Sequence, residues 1–223
     1  MKNKKLLLDI KEYLKCYEDQ VLEDWYELIR HISVSETGEG IETCCDWIQK
    51  KMEEIGIQVT KYSVKPAPVL VGRFGNDPEK KTVLIYAHYD VKPAGERKLW
   101  HSDPFVPTVR DGKVYARGSA DNKSPLMAHL KALEYFIRRK MEVPVNVIFV
   151  FEGDEECGSR GLEEFLAEHR TELAADLVFF SDGPKDPSGL PIIALGAKGD
   201  LSIHITVETM NRNVHARYAP VLP

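Results

Sequence analysis

Between residues 5 and 32, Leu14, Tyr17, Val21, Trp25 and Leu28 recur at three- and four-residue steps. That is the spacing of one helical face, so one helix or two are expected there. Residues 33–40 form a polar break. A second amphipathic helix is expected over 41–55, closed by Gly56, a residue suited to the position just past a helix C-terminus. The period then changes. Residues 58–64 and 69–74 read as strands, with Pro66 and Pro68 between them. Val83-Leu84-Ile85-Tyr86-Ala87 forms the apolar heart of a strand over 81–87. A continuous apolar run of this kind suits a strand covered on both faces, hence an α/β sheet.

A long segment rich in proline and aromatic residues follows over 89–111, and a loop of that length in a compact domain is usually functional. Further helices are expected over 123–139 and 159–169. Buried strands are expected over 145–151 and 175–180, and alternating strands over 192–197 and 201–209. The alternation of strands and helices predicts an α/β fold, a mixed sheet flanked by helices on both faces. No internal repeat or low-complexity stretch is present.

The 223 residues can bury a substantial core. The formal net charge of -5 argues against a nucleic-acid or anionic-membrane partner, either of which favours a basic surface. No apolar run reaches the length of about 18 residues that a membrane span requires. The apolar stretch at Leu6, Leu7 and Leu8 is too short for a signal peptide and meets Asp9 at once, so a cytoplasmic protein is the default. The four cysteines, Cys16, Cys44, Cys45 and Cys157, form no Cys-x-x-Cys pair and are expected to be free, buried thiols.

The candidate chemistry sits just past the buried strands. His88-Tyr89-Asp90 follows the first, Glu152-Gly153-Asp154-Glu155-Glu156 the second, and Ser181-Asp182-Gly183 the third. Asp121 lies in Arg117-Gly118-Ser119-Ala120-Asp121-Asn122-Lys123, directly before a helix. Ligands of open α/β sheets gather outside the carboxyl ends of the strands, so these groups are expected to converge on one edge. Clustered carboxylates need positive charge among them, from metal ions or from basic side chains. A histidine with several carboxylates and no thiolate fits zinc, manganese or cobalt. A carboxylate shared by two ions would set them about 3.5–4 Å apart.

In order along the chain, His88-x-Asp90, Gly118-x-x-Asp121-x-Lys123, Glu155-Glu156 and Ser181-Asp182-Gly183 resemble a zinc-dependent superfamily. It includes aminoacylase, carboxypeptidase G, succinyl-diaminopimelate desuccinylase and the carnosinase-like dipeptidases. Asp90-Val91-Lys92-Pro93, Trp100, Asp103-Pro104-Phe105 and the segment from Asp111 to Gly118 most resemble the dipeptidase branch.

The resemblance implies a zinc-exopeptidase-like catalytic domain that hydrolyses peptide or amide bonds with two divalent ions, zinc first, manganese or cobalt otherwise. It implies His88 and Asp182 as ligands of one ion, Glu156 as ligand of the other, and Asp121 as the bridge. Glu155 would be the general base and Asp90 the acid that orients His88. His215 would reach the substrate from a lid, across a homodimer. The substrate would be a peptide or an N-acyl amino acid. A dipeptidase is expected, with an N-acyl-amino-acid deacylase or a non-catalytic binding protein as alternatives. A cis peptide bond between Asp121 and Asn122 is also implied.

Residues 1–209 would form the N-terminal part of the catalytic domain and 210–223 the start of a truncated lid. The family's last histidine ligand would then lie beyond Pro223. The 223 residues alone are expected to hold at most about one zinc tightly and to lack appreciable peptidase activity. The chain departs from the family at Ser124, where glycine is usual, at Cys157, where isoleucine is common, and at Ala216-Arg217-Tyr218, where small residues follow the lid histidine.

Overall fold

The computed structural model describes residues 2–183 and, beyond them, scattered positions as far as 206. The N-terminal periodicity resolves into a single helix, α1 (Lys2–Arg30). Helix α2 (Ile41–Ile55) ends where glycine permits it. Gly56 adopts φ 94°, and its N–H returns to the carbonyls of Met52 and Glu53. Its buried face, Ile41, Cys44, Cys45, Ile48 and Met52, keeps the helical repeat. Then come β1 (Gln58–Tyr62), β2 (Val69–Phe74), β3 (Thr82–His88), α3 (Lys123–Arg138), β6 (Asn146–Glu152), α4 (Leu162–Glu168) and β7 (Leu177–Phe180).

The main sheet has the order β1-β2-β6-β3-β7. β1, β2 and β6 pair antiparallel, whereas β3 runs parallel to both β6 and β7. Alternation along β6 divides the core in two. Val147, Phe149 and Phe151 point to the layer that holds Ile48, Met52, Leu126, Leu130 and Leu133. Ile148 and Val150 point to the opposite layer, with Phe165 of α4 and Leu173. Helices thus flank the mixed sheet on both faces, as the sequence pattern predicts. Gly72 lets α2 lie close to β2, because a Cβ there would come 2.9 Å from Ile57 Cγ2 and nearer still to Met52 Cε.

Several expectations need correction. The segment 89–111 is not wholly loop: β4 (Thr108–Arg110) pairs with β5 (Lys113–Tyr115) in a two-stranded hairpin. Asp111 and Gly112 both take positive φ at its turn, the backbone that an Asp-Gly hairpin prefers. α4 is shorter than 159–169, and a 3-10 turn (Glu155–Cys157) precedes it.

β7 is not buried. Leu177, Val178, Phe179 and Phe180 are all exposed, because the strand lies at the sheet edge and pairs only with β3 among the described residues. The described positions within 192–197 and 201–209 carry no strand. All four thiols are free, as expected, but Cys16 is exposed and Cys157 half-buried; only Cys44 and Cys45 lie in the core. The chain divides into two compact units, Met1–Gly183 and Pro184–Pro223. The boundary expected at 209/210 and His215 lie outside the described residues. No helix among the described residues is long and apolar enough to cross a membrane.

Candidate metal centre

The parallel pairing of β3 with β6 and β7 brings three strand ends to one edge. His88 closes β3 opposite Glu152, which closes β6, and Asp182 stands two residues past β7. Asp121 enters from the turn before α3. Its peptide bond to Asn122 is cis, as the resemblance implies.

His88 Nε2 lies 3.0 Å from Asp121 Oδ1 and 3.3 Å from Asp182 Oδ2. One ligand atom from each of these three residues falls within 4.8 Å of the others. Metal–ligand bonds of about 2.0–2.2 Å place neighbouring donors about 3.0 Å apart at a right angle and about 3.4 Å apart in a tetrahedron. The observed separations suit one cation held by an imidazole and two carboxylates. The other ring nitrogen is fixed from behind, with Nδ1 3.3 Å from Asp90 Oδ1 and 3.1 Å from the Asp90 carbonyl oxygen. A ligating histidine is oriented by partners of this kind. Asp90 is itself fully buried and accepts the backbone N–H of Glu155 (3.2 Å) and of Glu156 (3.1 Å). It therefore ties the acidic turn to the end of β3.

The field at this edge favours positive charge. Burial alone would lower the pKa of His88, but the Asp90 hydrogen bond and the carboxylates of Asp90, Asp182 and Glu155 raise it to about 9. Glu155, with Oε2 3.8 Å from His88 Nε2, has its carboxyl pKa raised by burial and by the charges of Asp182, Glu156 and Asp90, against the opposing pull of His88. Glu152 at the end of β6 is also pushed up by burial, while Tyr86 and Ser159 donate hydrogen bonds to it.

Glu156 is not one of the three residues whose ligand atoms converge. Its carboxylate pairs with Lys92 at 3.5 Å, and the Lys92 ammonium also donates to the Glu156 carbonyl. The structure thus gathers His88, Asp121 and Asp182, sets Glu155 beside them and Asp90 behind, and leaves Glu156 on a lysine. Lys92 was visible in the sequence only as part of Asp90-Val91-Lys92-Pro93. Its partner depends on the turn that follows β6, which no periodicity specifies.

Lys123 is buried, and its ammonium donates to the carbonyl oxygens of Leu28 (3.1 Å) and His31 (2.6 Å). It joins the start of α3 to the last turn of α1, where helix carbonyls lack intrahelical partners. Burial lowers its pKa. Its place in the Gly118-x-x-Asp121-x-Lys123 motif thus has a structural reason: it anchors the element that delivers Asp121.

A histidine and two carboxylates gathered at the carboxyl edge of a mixed α/β sheet make a candidate metal site. Residues 84–221 match the model of peptidase family M20/M25/M40, and the chain belongs to that family. It is 40% identical over 172 residues to the Cys-Gly metallodipeptidase dug1 of Schizosaccharomyces pombe, covering 74% of this chain and 36% of that protein. It is 30% identical over 221 residues to the cysteinylglycine-S-conjugate dipeptidase of Corynebacterium striatum, covering 97% of this chain and 48% of that one. The crystal structure of human carnosine dipeptidase 1 is similar with a TM-score of 0.76 at 30% identity, over 79% of this chain and 41% of the other. The chain therefore spans less than half the length of these relatives.

Proposed function

We propose that this chain is the metal-binding part of a two-metal dipeptidase. The observation that carries the reading is the convergence of His88, Asp121 and Asp182 on a space the size of one cation. The names of the relatives, a Cys-Gly metallodipeptidase and a cysteinylglycine-S-conjugate dipeptidase, support a dipeptide substrate. Zinc suits the nitrogen and oxygen donor set, with manganese or cobalt as substitutes.

His88 and Asp182 would hold the first ion. Asp121, the most exposed of the three ligands, would reach a second ion together with Glu156. Divalent cations held by these residues would supply polarisation of the scissile carbonyl and acidification of a water. Asp90 keeps His88 Nδ1 engaged and so presents Nε2 to the cluster. Glu155 accepts a proton from the attacking water at its carboxylate and returns it to the leaving amine. The resemblance further supports a homodimer and contact of His215 with substrate from a lid that begins near residue 210; the short apolar stretch at Leu6, Leu7 and Leu8 is what supports a cytoplasmic location.

The test is hydrolysis of Cys-Gly, β-Ala-His and an N-acetyl amino acid by a protein that carries this chain within the full length of its relatives, loaded with zinc, manganese or cobalt. Dipeptide cleavage that falls by roughly two orders of magnitude or more in Glu155→Gln, with metal content unchanged, supports the assignment. Cleavage of the N-acetyl amino acid alone would replace dipeptidase with deacylase. Bound metal without turnover on any of the three would favour a binding protein.

A further inference from the structure

Asp182 follows an edge strand whose four side chains are all exposed, so strand packing alone does not fix the segment that carries it. Two groups from across the site hold its neighbour instead. Asn122 Nδ2 donates to the Ser181 carbonyl oxygen at 3.1 Å. His129 Nε2 pairs with Ser181 Oγ at 2.9 Å, and its ring meets Phe179 edge-on at a centroid distance of 5.3 Å. Asn122 directly follows Asp121, and His129 lies on α3, which starts at Lys123. A single element therefore delivers Asp121 and both groups that grip the residue beside Asp182.

The side chain of Asn122 forgoes other uses for this contact. It occupies the position before the first helical residue of α3, where an asparagine oxygen normally accepts a backbone N–H of the first turn. No such cap is made. Asn122 is 1% exposed, and its Oδ1 has no hydrogen-bond partner among the described residues. A buried amide oxygen without a partner is unfavourable, and the hydrogen bond this side chain does make is the one its Nδ2 donates to Ser181.

The geometry points to Asn122 and His129 as positioning residues that hold Ser181, and through it Asp182, at the distance from His88 and Asp121 that one cation needs. This rests on the metal-site reading above. Groups that orient metal ligands commonly change affinity by about 10–100-fold when removed. A pair of bonds that merely pinned β7 to α3 would alter stability and leave the metal's coordination unchanged.

The experiment is a Co2+ titration of the chain, read by the visible d–d absorption of the bound ion, with folding checked by circular dichroism. The proteins are wild type, Asn122→Leu, Ser181→Ala and Ser181→Thr. Asn122→Leu removes the donor to the Ser181 carbonyl, and Ser181→Ala removes the hydroxyl that meets His129. Ser181→Thr keeps that hydroxyl. Asn122→Leu and Ser181→Ala are each expected to weaken Co2+ by about tenfold or more and to change the shape of the d–d band, with Ser181→Thr close to wild type. If Asn122→Leu does not fold, the Ser181 pair decides the matter alone. Unchanged affinity and spectrum in the folded Asn122→Leu and Ser181→Ala variants would overturn the inference and leave the metal site standing. Failure of the wild-type chain to bind Co2+ would overturn the metal site and the inference with it.

Discussion

Gly153 sits between the end of β6 and the acidic turn, and the ring of Tyr89 fills the space a side chain there would need. A Cβ at Gly153 would lie 2.7 Å from Tyr89 Cε2 and closer still to Cζ and the hydroxyl oxygen. Tyr89 is fully buried, and its hydroxyl donates to the Pro68 carbonyl at 2.8 Å. The ring cannot swing aside without giving up that bond. Overpacking of a filled core costs about 1–3 kcal/mol, and a buried hydrogen bond about 1 kcal/mol. Gly153→Ala is therefore expected to destabilise the protein by roughly 2–4 kcal/mol, a large share of the ~5–15 kcal/mol that holds a domain folded.

Urea unfolding measures this cost directly. In a Tyr89→Leu background the obstructing ring is gone, and Gly153→Ala should then cost less than about 1 kcal/mol, a coupling expected only of residues in contact. Because His88 and Asp90 flank Tyr89, Gly153→Ala should also weaken metal binding. The same cost in both backgrounds, or a neutral Gly153→Ala, would refute the packing account.

Two further outcomes follow from buried charges and thiols. Burial raises the pKa of Asp154, but the hydrogen bonds and charge of Arg160 outweigh it and hold the carboxyl below its ordinary value. A depressed folded-state pKa contributes stability that is present above the unfolded value of about 3.9 and is lost as pH falls through the folded one. The stability advantage of wild type over Arg160→Gln should be present at pH 7, start to decline as pH falls below about 4 and shrink steadily as it falls further through the depressed value; an advantage undiminished across that acid range would contradict the ion pair as its source. Burial raises the pKa of Cys44 and pushes that of Cys45 up to about 12. Iodoacetamide should therefore label exposed Cys16 in the native protein and spare both, with mass spectrometry of the peptides as the readout.

The parts legible in the sequence are those with a strong period or a punctuating residue. The α2 bounds follow from one apolar face and Gly56, and β2 falls where 69–74 was expected. β7 was legible as a strand and not as an edge, because a run of Leu-Val-Phe-Phe reads the same whether or not neighbours cover it. The β4–β5 hairpin carried an Asp-Gly signal, but three-residue strands are too short to reveal alternation.

At the site, His88, Asp121 and Asp182 could be collected because each follows a strand end or precedes a helix. The pairing of Glu156 with Lys92 could not, since it depends on how the 3-10 turn at Glu155 aims two consecutive carboxylates. The grip of Asn122 and His129 on Ser181 was hidden for a related reason. Asparagine before a helix reads as a cap, and only the folded chain has the side chain turned elsewhere.

The most direct test of the central claim is the zinc content of the protein after exhaustive dialysis, compared between wild type and a folded His88→Ala/Asp182→Ala double variant. A cation held by an imidazole and two carboxylates predicts about one tightly bound zinc per chain in wild type and a near-complete loss in the variant. Equal zinc content in the two proteins would contradict the assignment of the cluster as a metal centre.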